Sequence, residues 1–283
     1  MSHFISFNQQ VALLATMHQK EQVIAPILHR ELGLTVHVPT QFNSDRFGTF
    51  TREIPRPGQQ LETARLKAQA VLAEEDVMIA LASEGSFGPH PSLPWLACDR
   101  ELVFLLDHRH QLELVGQAIS TDTNYAQQRV THPDEAQTFA EKVGFPEHGL
   151  VIRPAPEQND PLWKGVTDPD QLQDCVQTLL QQQGSACLET DMRAMYNPTR
   201  LQVIGKATED LVRKVRQTCP NCNWPGFDVV RRNAGLPCEW CGQPTLGVLQ
   251  QIYRCQSCSH EVIEKYPEGR ETNDPSQCSY CNP

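Results

Sequence analysis

Along the first two thirds of the chain the apolar positions keep switching between a run, a helical spacing and an alternation. "QVALLAT" (10–16) is an unbroken apolar run and predicts a buried strand. In "HQKEQVIAPILHREL" (18–32), Val23, Ile24, Ile27, Leu28 and Leu32 fall on one helical face, and Gly33 supplies the stop. "LTVHVP" (34–39) predicts a second strand, followed by a polar loop with Gly and Pro over 40–60. Residues 61–74 predict a helix, and "DVMIALASEGSFGPHP" (76–91) a strand running into a Gly-rich turn. Residues 101–120 predict a hairpin with a polar tip at 107–111. Helices are predicted at 133–145 and 168–184, with a strand at 149–154 between them. Asn197 is a good N-cap and Pro198 suits a first helical position, so a further helix is predicted from Pro198 to about Arg216.

Strands alternating with helices predict an α/β fold: a mixed, mostly parallel sheet with helices on both faces. In such sheets ligands bind beyond the carboxyl ends of strands. The expected division is a body over 1–204, its last helix continuing to about 216, and a small β-rich tail over 217–283.

The tail changes the chemistry. Of eleven cysteines, eight form four Cys-x-x-Cys pairs: Cys219/Cys222, Cys238/Cys241, Cys255/Cys258 and Cys278/Cys281. Each pair points two sulfurs at one point, so two pairs complete a four-thiolate zinc site and four pairs make two. The expectation is a double zinc ribbon with two structural Zn2+ ions, saturated by sulfur and closed to water. Two pairings suit the gaps of 15, 13 and 19 residues: nested, with the middle knuckles together and the outer ones closing a second site, or sequential. Nested is favoured slightly. Cys98, Cys175 and Cys187 lie outside the pattern and read as buried thiols.

The net charge of −10 opposes polyanion binding. From Gly205 onward there are 9 basic and 9 acidic residues; with 24 and 34 in the whole chain, the first 204 residues hold 15 and 25 and carry the surplus. Nucleic acid is therefore disfavoured, with only the tail, through Arg231, Arg232, Trp224, Trp240 and Tyr253, left as a route to it or to a protein partner. No apolar run approaches the ~20 residues of a membrane span, and the start lacks a basic leader, so the expected setting is the cytoplasm with no membrane partner.

Three motifs fall at predicted strand ends. In "ASEGSFGPHP", Glu84 is a candidate base or Mg2+ ligand and His90 a candidate phosphate contact. In "CLETDMRAMYNPTR", an extended backbone would put Glu189, Asp191 and Arg193 on one face. Two carboxylates beside a guanidinium suit a divalent cation and an anion. Asn197 and Arg200 complete that candidate site, since Arg200 in a first helical turn opposes the macrodipole unless an anion is near. "ATMHQKEQ" puts His18 and Lys20 at a strand-to-helix junction that favours phosphate, and Lys164 is a weaker contact of the same kind. The same charged groups also suit a plain salt-bridge ladder.

"FGTFTREIPR", "ASEGSFGPHP", "ETDMRAMYNPTR", "CPNCNWPGF", "GLPCEWCGQPT" and "CSYCNP" together resemble a bacterial domain-of-unknown-function family over nearly the whole length, which implies no activity. A looser likeness, over about residues 9–90, is to house-cleaning nucleoside-triphosphate pyrophosphatases of the inosine/xanthosine triphosphatase type. It implies Lys20 on phosphate, with Glu62 and Glu84 on Mg2+ and water. His18 stands where that family has Asn, and Lys20 comes one residue early.

Two functions follow. One is a Mg2+-dependent hydrolase or binder of a phosphorylated small molecule or nucleotide, with Glu84, Asp191 and Glu189 as its carboxylates and Lys20, His90, Arg193, Asn197 and Arg200 on the ligand. The other is a non-enzymatic adaptor whose zinc ribbon binds protein or nucleic acid and whose α/β body senses a ligand. Whether the chain is an enzyme stays open at this point.

Overall fold

The structure, a computed structural model, describes residues 5–48, 54–73, 76–155 and 162–283. Two compact units divide the chain: Phe7–Val212 forms the larger, and Arg213–Pro283 makes up most of the smaller.

The larger unit holds two sheets. The first is built from β1 (Val11–Ala15), α1 (Glu21–Leu32), β2 (Thr35–His37), α2 (Gln60–Leu72), β3 (Ile79–Pro89), β4 (Ala97–Asp107) and β5 (Leu112–Ser120). Its strand order is β2-β1-β3-β4-β5. β1 runs parallel to β2 and β3, because helices make those crossovers. β3, β4 and β5 pair antiparallel through two hairpins with long registers, Ile79↔Asp107 to Pro89↔Ala97 and Asp107↔Leu112 to Asp99↔Ser120. The sheet is therefore mixed but mostly antiparallel, which corrects the mostly parallel expectation. The apolar run up to Pro89 signals a strand equally well for either direction. The "Gly-rich turn" expected near Gly85 and Gly88 is likewise strand, paired to β4 throughout.

Alternation sorts this sheet's side chains onto two faces. Ala80, Ala82, Leu102, Phe104 and Leu106 meet Ala64, Ala68 and Val71 of α2. Burying these side chains contributes roughly 25 cal/mol per Å2 of apolar surface removed from water. On the opposite face runs α5 (Pro198–Arg216). It crosses β5 so closely that a methyl at Gly116 would run into the Ala207 carbonyl and Leu211. Val23 and Ile27 of α1 pack beside it at Gly205. Helices thus cover both faces of the first sheet.

The second sheet, in the order β6-β9-β7-β8, is wholly antiparallel. Its strands are β6 (Gln127–Val130), β7 (Leu150–Pro154), β8 (Trp163–Val166) and β9 (Ala186–Thr190). α3 (Pro133–Lys142) and α4 (Pro169–Gln183) cover one face of it over a core of Phe139, Leu150, Ile152, Leu172, Leu179 and Leu188. Sequence periodicity missed β6 and β8, four residues each and too short for alternation to register.

The smaller unit is a three-stranded antiparallel meander of β10 (Asp228–Ala234), β11 (Val248–Arg254) and β12 (Glu261–Lys265). Among the described residues no helix is long and apolar enough to cross a membrane.

Candidate functional site

The meander decides how the cysteines pair. The first knuckle precedes β10 and the third follows β11. Because β10 and β11 are antiparallel, these two knuckles meet at one end of the sheet. The second and fourth knuckles meet at the other end for the same reason. The tetrads are Cys219, Cys222, Cys255, Cys258 and Cys238, Cys241, Cys278, Cys281. This interleaved pairing overturns both the nested and the sequential expectation. Nested sites would need the second and third knuckles together, yet the seven residues of β11 hold them about 23 Å apart.

Within a tetrad, sulfurs from different knuckles stand 3.6–3.9 Å apart. A tetrahedral ion with 2.3 Å bonds to sulfur requires about 3.8 Å between them, so the donor set fits Zn2+; a disulfide would need about 2.05 Å. The knuckle backbones repeat one turn: Asn223, Gly242 and Ser259, each following a second cysteine, all have φ near +60°. Amides of Asn221, Ser257 and Cys258 donate to cysteine sulfurs, which stabilises thiolate charge. The two tetrads can hold two metal ions such as zinc, and four thiolates leave no open position for water.

The larger unit concentrates charge around β3. β1 ends opposite Ala82, so beyond that point β3 has no strand on this side among the described residues. Two cations use the edge left open: Lys20 Nζ donates to the Ser83 carbonyl at 2.8 Å, and Arg56 Nη2 to the Gly85 carbonyl at 2.8 Å. Lys20 stands at the N-terminus of α1, presented by Gln19, a non-glycine residue at φ 58°. On the α2 face Glu84 takes Lys67 Nζ at 2.5 Å and Arg56 Nη2 at 3.2 Å. On the opposite face Glu101 takes Arg200 Nε at 2.7 Å. Arg200 also donates to the Met192 carbonyl and lies over the Phe87 ring. Gly85 is required here, since a methyl would overlap both Glu101 Oε1 and Arg200 Nη2.

Burial decides the protonation of this cluster. Lys20, 6% exposed, is pushed down to about 7 by burial and then by the Arg200 charge. Asp99 is pushed up to about 8 by burial and by its neighbour Glu101. Burial alone would raise the Glu84 carboxyl, but Lys67, Lys20 and Arg56 outweigh it and hold it below its ordinary value. Asp99 Oδ1 and Glu101 Oε2 are buried with no N–H donor among the described residues, so the proton held on Asp99 serves both carboxyls through its hydrogen bond to Glu101. Such buried oxygens are costly unless something meets them.

The structure brings Lys20, Glu84 and Arg200 into this one cluster. Asn197 supports it by capping α5 through the Arg200 amide at 2.9 Å. Asp191 is fully buried and committed: it receives Arg193 Nη2 at 2.6 Å and the Gly165 amide at 3.0 Å, while Arg193 stacks on Tyr196. Glu189 pairs with Arg153. The strand ends at Thr190, so Glu189, Asp191 and Arg193 do not share one extended face. Glu62 is exposed on α2, away from its buried face at Thr63, Ala64 and Lys67. His90 lies beyond the end of β3, six residues or about 20 Å along from Glu84, and closes its own loop by accepting the Ser92 amide. His18 pairs with Asp45 at 3.0 Å and is lowered by burial and by Lys20. Arg56, Lys67, Asp99 and Glu101 were missed. Asp99 and Glu101, two apart in "CDRELVFLLD", were a visible signal: one face of a strand carrying two carboxyls.

Residues 67–283 match a family described as a domain of unknown function (DUF6671). No curated protein matches the chain.

Proposed function

The chain belongs to that family of unknown function, and we propose that its larger unit binds a phosphorylated small molecule at the end of β1, without Mg2+, while the cysteine tetrads fold the smaller unit around two zinc ions. One observation carries the reading: among the described residues the cluster around β3 holds more cations than anions. Lys20, Arg56, Lys67 and Arg200 face the carboxylates Glu84 and Glu101, with Asp99 neutral below about pH 8. With Lys20 charged that is four against two, in a chain whose net charge is −10. Buried uncompensated charge is expensive, and an anion at the N-terminus of α1 removes the imbalance.

Each group has a role there. Lys20 spends its hydrogen bonds on Ser83, at 2.8 Å to the carbonyl and 3.4 Å to the hydroxyl, and has a third proton for the ligand. Arg56, more than a third exposed, marks where the cluster meets solvent. The carboxylates expected to hold Mg2+ are committed elsewhere: both oxygens of Glu84 have cationic partners, Asp191 is tied to Arg193 and Gly165, and Glu189 is tied to Arg153. The neutral Asp99 carboxyl is a proton donor, the group needed to release an alcohol from a phosphate ester, so a hydrolase remains the second reading.

The test is a thermal-shift series with inorganic phosphate, pyrophosphate, nucleotides and sugar phosphates, with and without Mg2+, and with released phosphate followed. A ligand at one hundred times its Kd stabilises by about 2.7 kcal/mol. One class should raise the Tm without Mg2+. That shift should vanish in Lys20→Met and persist in Asp191→Asn, and the ligand-free Lys20→Met protein should melt higher than wild type because a buried charge is gone. No shift from any class, or a shift that survives Lys20→Met, overturns the proposal.

A further inference from the structure

The two ends of the smaller unit differ in what they show to solvent. In a Cys-x-x-Cys knuckle the residue before the second cysteine stands outside the metal. At the first tetrad those residues are Asn221 and Ser257; at the second they are Trp240 and Tyr280. Both aromatics are open, Trp240 78% and Tyr280 75% exposed, and Leu246 nearby is 92% exposed. Leu246 follows Thr245, whose hydroxyl takes Asn273 Nδ2 at 3.0 Å, and Asn273 is bridged to Cys238. All three apolar groups therefore belong to the same end. Each aromatic Cα lies within about 9 Å of the tetrad centre, by adding bond lengths outward from a 2.3 Å Zn–S bond. Five or six extended residues of a partner would span both.

The charges differ as well. Around the first tetrad, residues 217–227 carry no charged side chain, and 254–261 carry Arg254 and Glu261, paired to each other. Around the second, residues 237–246 and 266–283 carry Glu239, Glu268, Glu271 and Asp274 against Arg270, a net of −3. Glu239 is drawn next to this acidic stretch by its amide, which donates to the Asn273 carbonyl at 3.0 Å. Four thiolates around a dication add a further two negative charges.

We infer that Trp240 and Tyr280, in the acidic surroundings of the second tetrad, form a docking site for an arginine- or lysine-bearing segment of a partner protein. Aromatic faces attract guanidinium and ammonium groups, by about 0.5–1 kcal/mol each where exposed, and the negative field steers a basic segment in. Single-stranded nucleic acid also stacks on aromatics, but it needs a positively charged groove, and the charge here has the opposite sign.

An acetylated and amidated octa-arginine peptide is the probe, titrated into the full-length, zinc-loaded chain at 150 mM salt with calorimetric and tryptophan-fluorescence readouts. Octalysine and a ten-nucleotide oligo-dT are the comparison arms. Binding should weaken at least tenfold in Trp240→Ala/Tyr280→Ala, with zinc content unchanged. Glu239→Gln/Glu271→Gln, which leaves both aromatics in place, should weaken it severalfold and flatten its salt dependence. If the aromatic variant loses zinc, the glutamate variant decides. Octa-arginine affinity that is unchanged in both variants overturns the inference. So does oligo-dT binding that depends on Trp240 and Tyr280, which would make the surface one for nucleic acid.

Discussion

In the smaller unit four sulfurs converge twice with nothing positive among them; in the larger, four cations surround two carboxylates. Each arrangement is electrostatically incomplete, and the signs are opposite. The thiolates call for a cation and the β3 cluster for an anion. They also differ in what they do for folding. A unit of about seventy residues has little core, so metal binding there supplies folding energy. The larger unit has two apolar cores of its own, and its charge cluster is a cost carried by the fold.

That contrast breaks most visibly on removing metal. A strong chelator should unfold the smaller unit, since structural zinc contributes about 10–16 kcal/mol in comparable peptides. Limited proteolysis should then cut within 217–283 and leave a fragment close to 7–212 intact. Pairing is tested by metal stoichiometry. Cys219→Ser/Cys258→Ser removes two ligands of one tetrad and should retain one zinc per chain. Under nested or sequential pairing the same double variant damages both sites and retains none.

A smaller but still large effect is expected at Arg200. Glu101→Leu leaves that guanidinium buried without its carboxylate, a change worth about 3–5 kcal/mol. In a unit of this size that lowers the Tm by roughly 10 °C. Adding Arg200→Leu should recover most of the loss, because the buried charge goes with it. If Glu101→Leu alone is harmless, Arg200 is solvated and the cluster is not the strained site described above.

How far each region could be read from sequence follows from the range of its interactions. A Cys-x-x-Cys turn is complete within four residues, so the ligands were legible while their partners were not. Pairing depends on the meander, and β12, with every residue exposed, gives no apolar pattern to announce it. The helices α1, α2, α4 and α5 were legible through periodicity, Gly33 and the Asn197-Pro198 cap. Strand direction was not, because Glu84 and Glu101 reveal their relation only once β3 and β4 are paired. The cluster draws on five separated segments, contributing Lys20, Arg56, Lys67, Ser83–Glu101 and Arg200. Lys20, Glu84 and Arg200 each stood out locally, whereas Lys67 looked like any helical lysine. Asp191 and Arg193 looked like a ligand site and are instead committed to each other, a distinction only their 2.6 Å contact makes.

The finest test of the contrast is pH. Asp99 titrates near 8 when folded and near 4 when unfolded, so from pH 4 to 8 the folded state holds a proton that the unfolded state lacks. Its contribution is complete below pH 4 and is lost as pH rises through 8, with a slope of at most about 1.4 kcal/mol per pH unit. Lys20 works the other way. Its folded value near 7 lies below its unfolded one, so between pH 7 and about 10 the unfolded state holds the extra proton and stability rises with pH. Between pH 7 and 8 the two nearly cancel. Wild type minus Asp99→Asn should therefore slope downward from pH 4 to 7, and wild type minus Lys20→Met should slope upward above pH 7, both measured by denaturant unfolding. Phosphate requires Lys20 charged, so its affinity should fall as pH rises through 7. A bound anion holds the proton on Lys20, so in the complex Lys20 should titrate at a higher pH than in the free protein. Flat difference curves would mean that both groups keep their ordinary values, and the excess of positive charge at β3 would then be met by solvent and need no ligand.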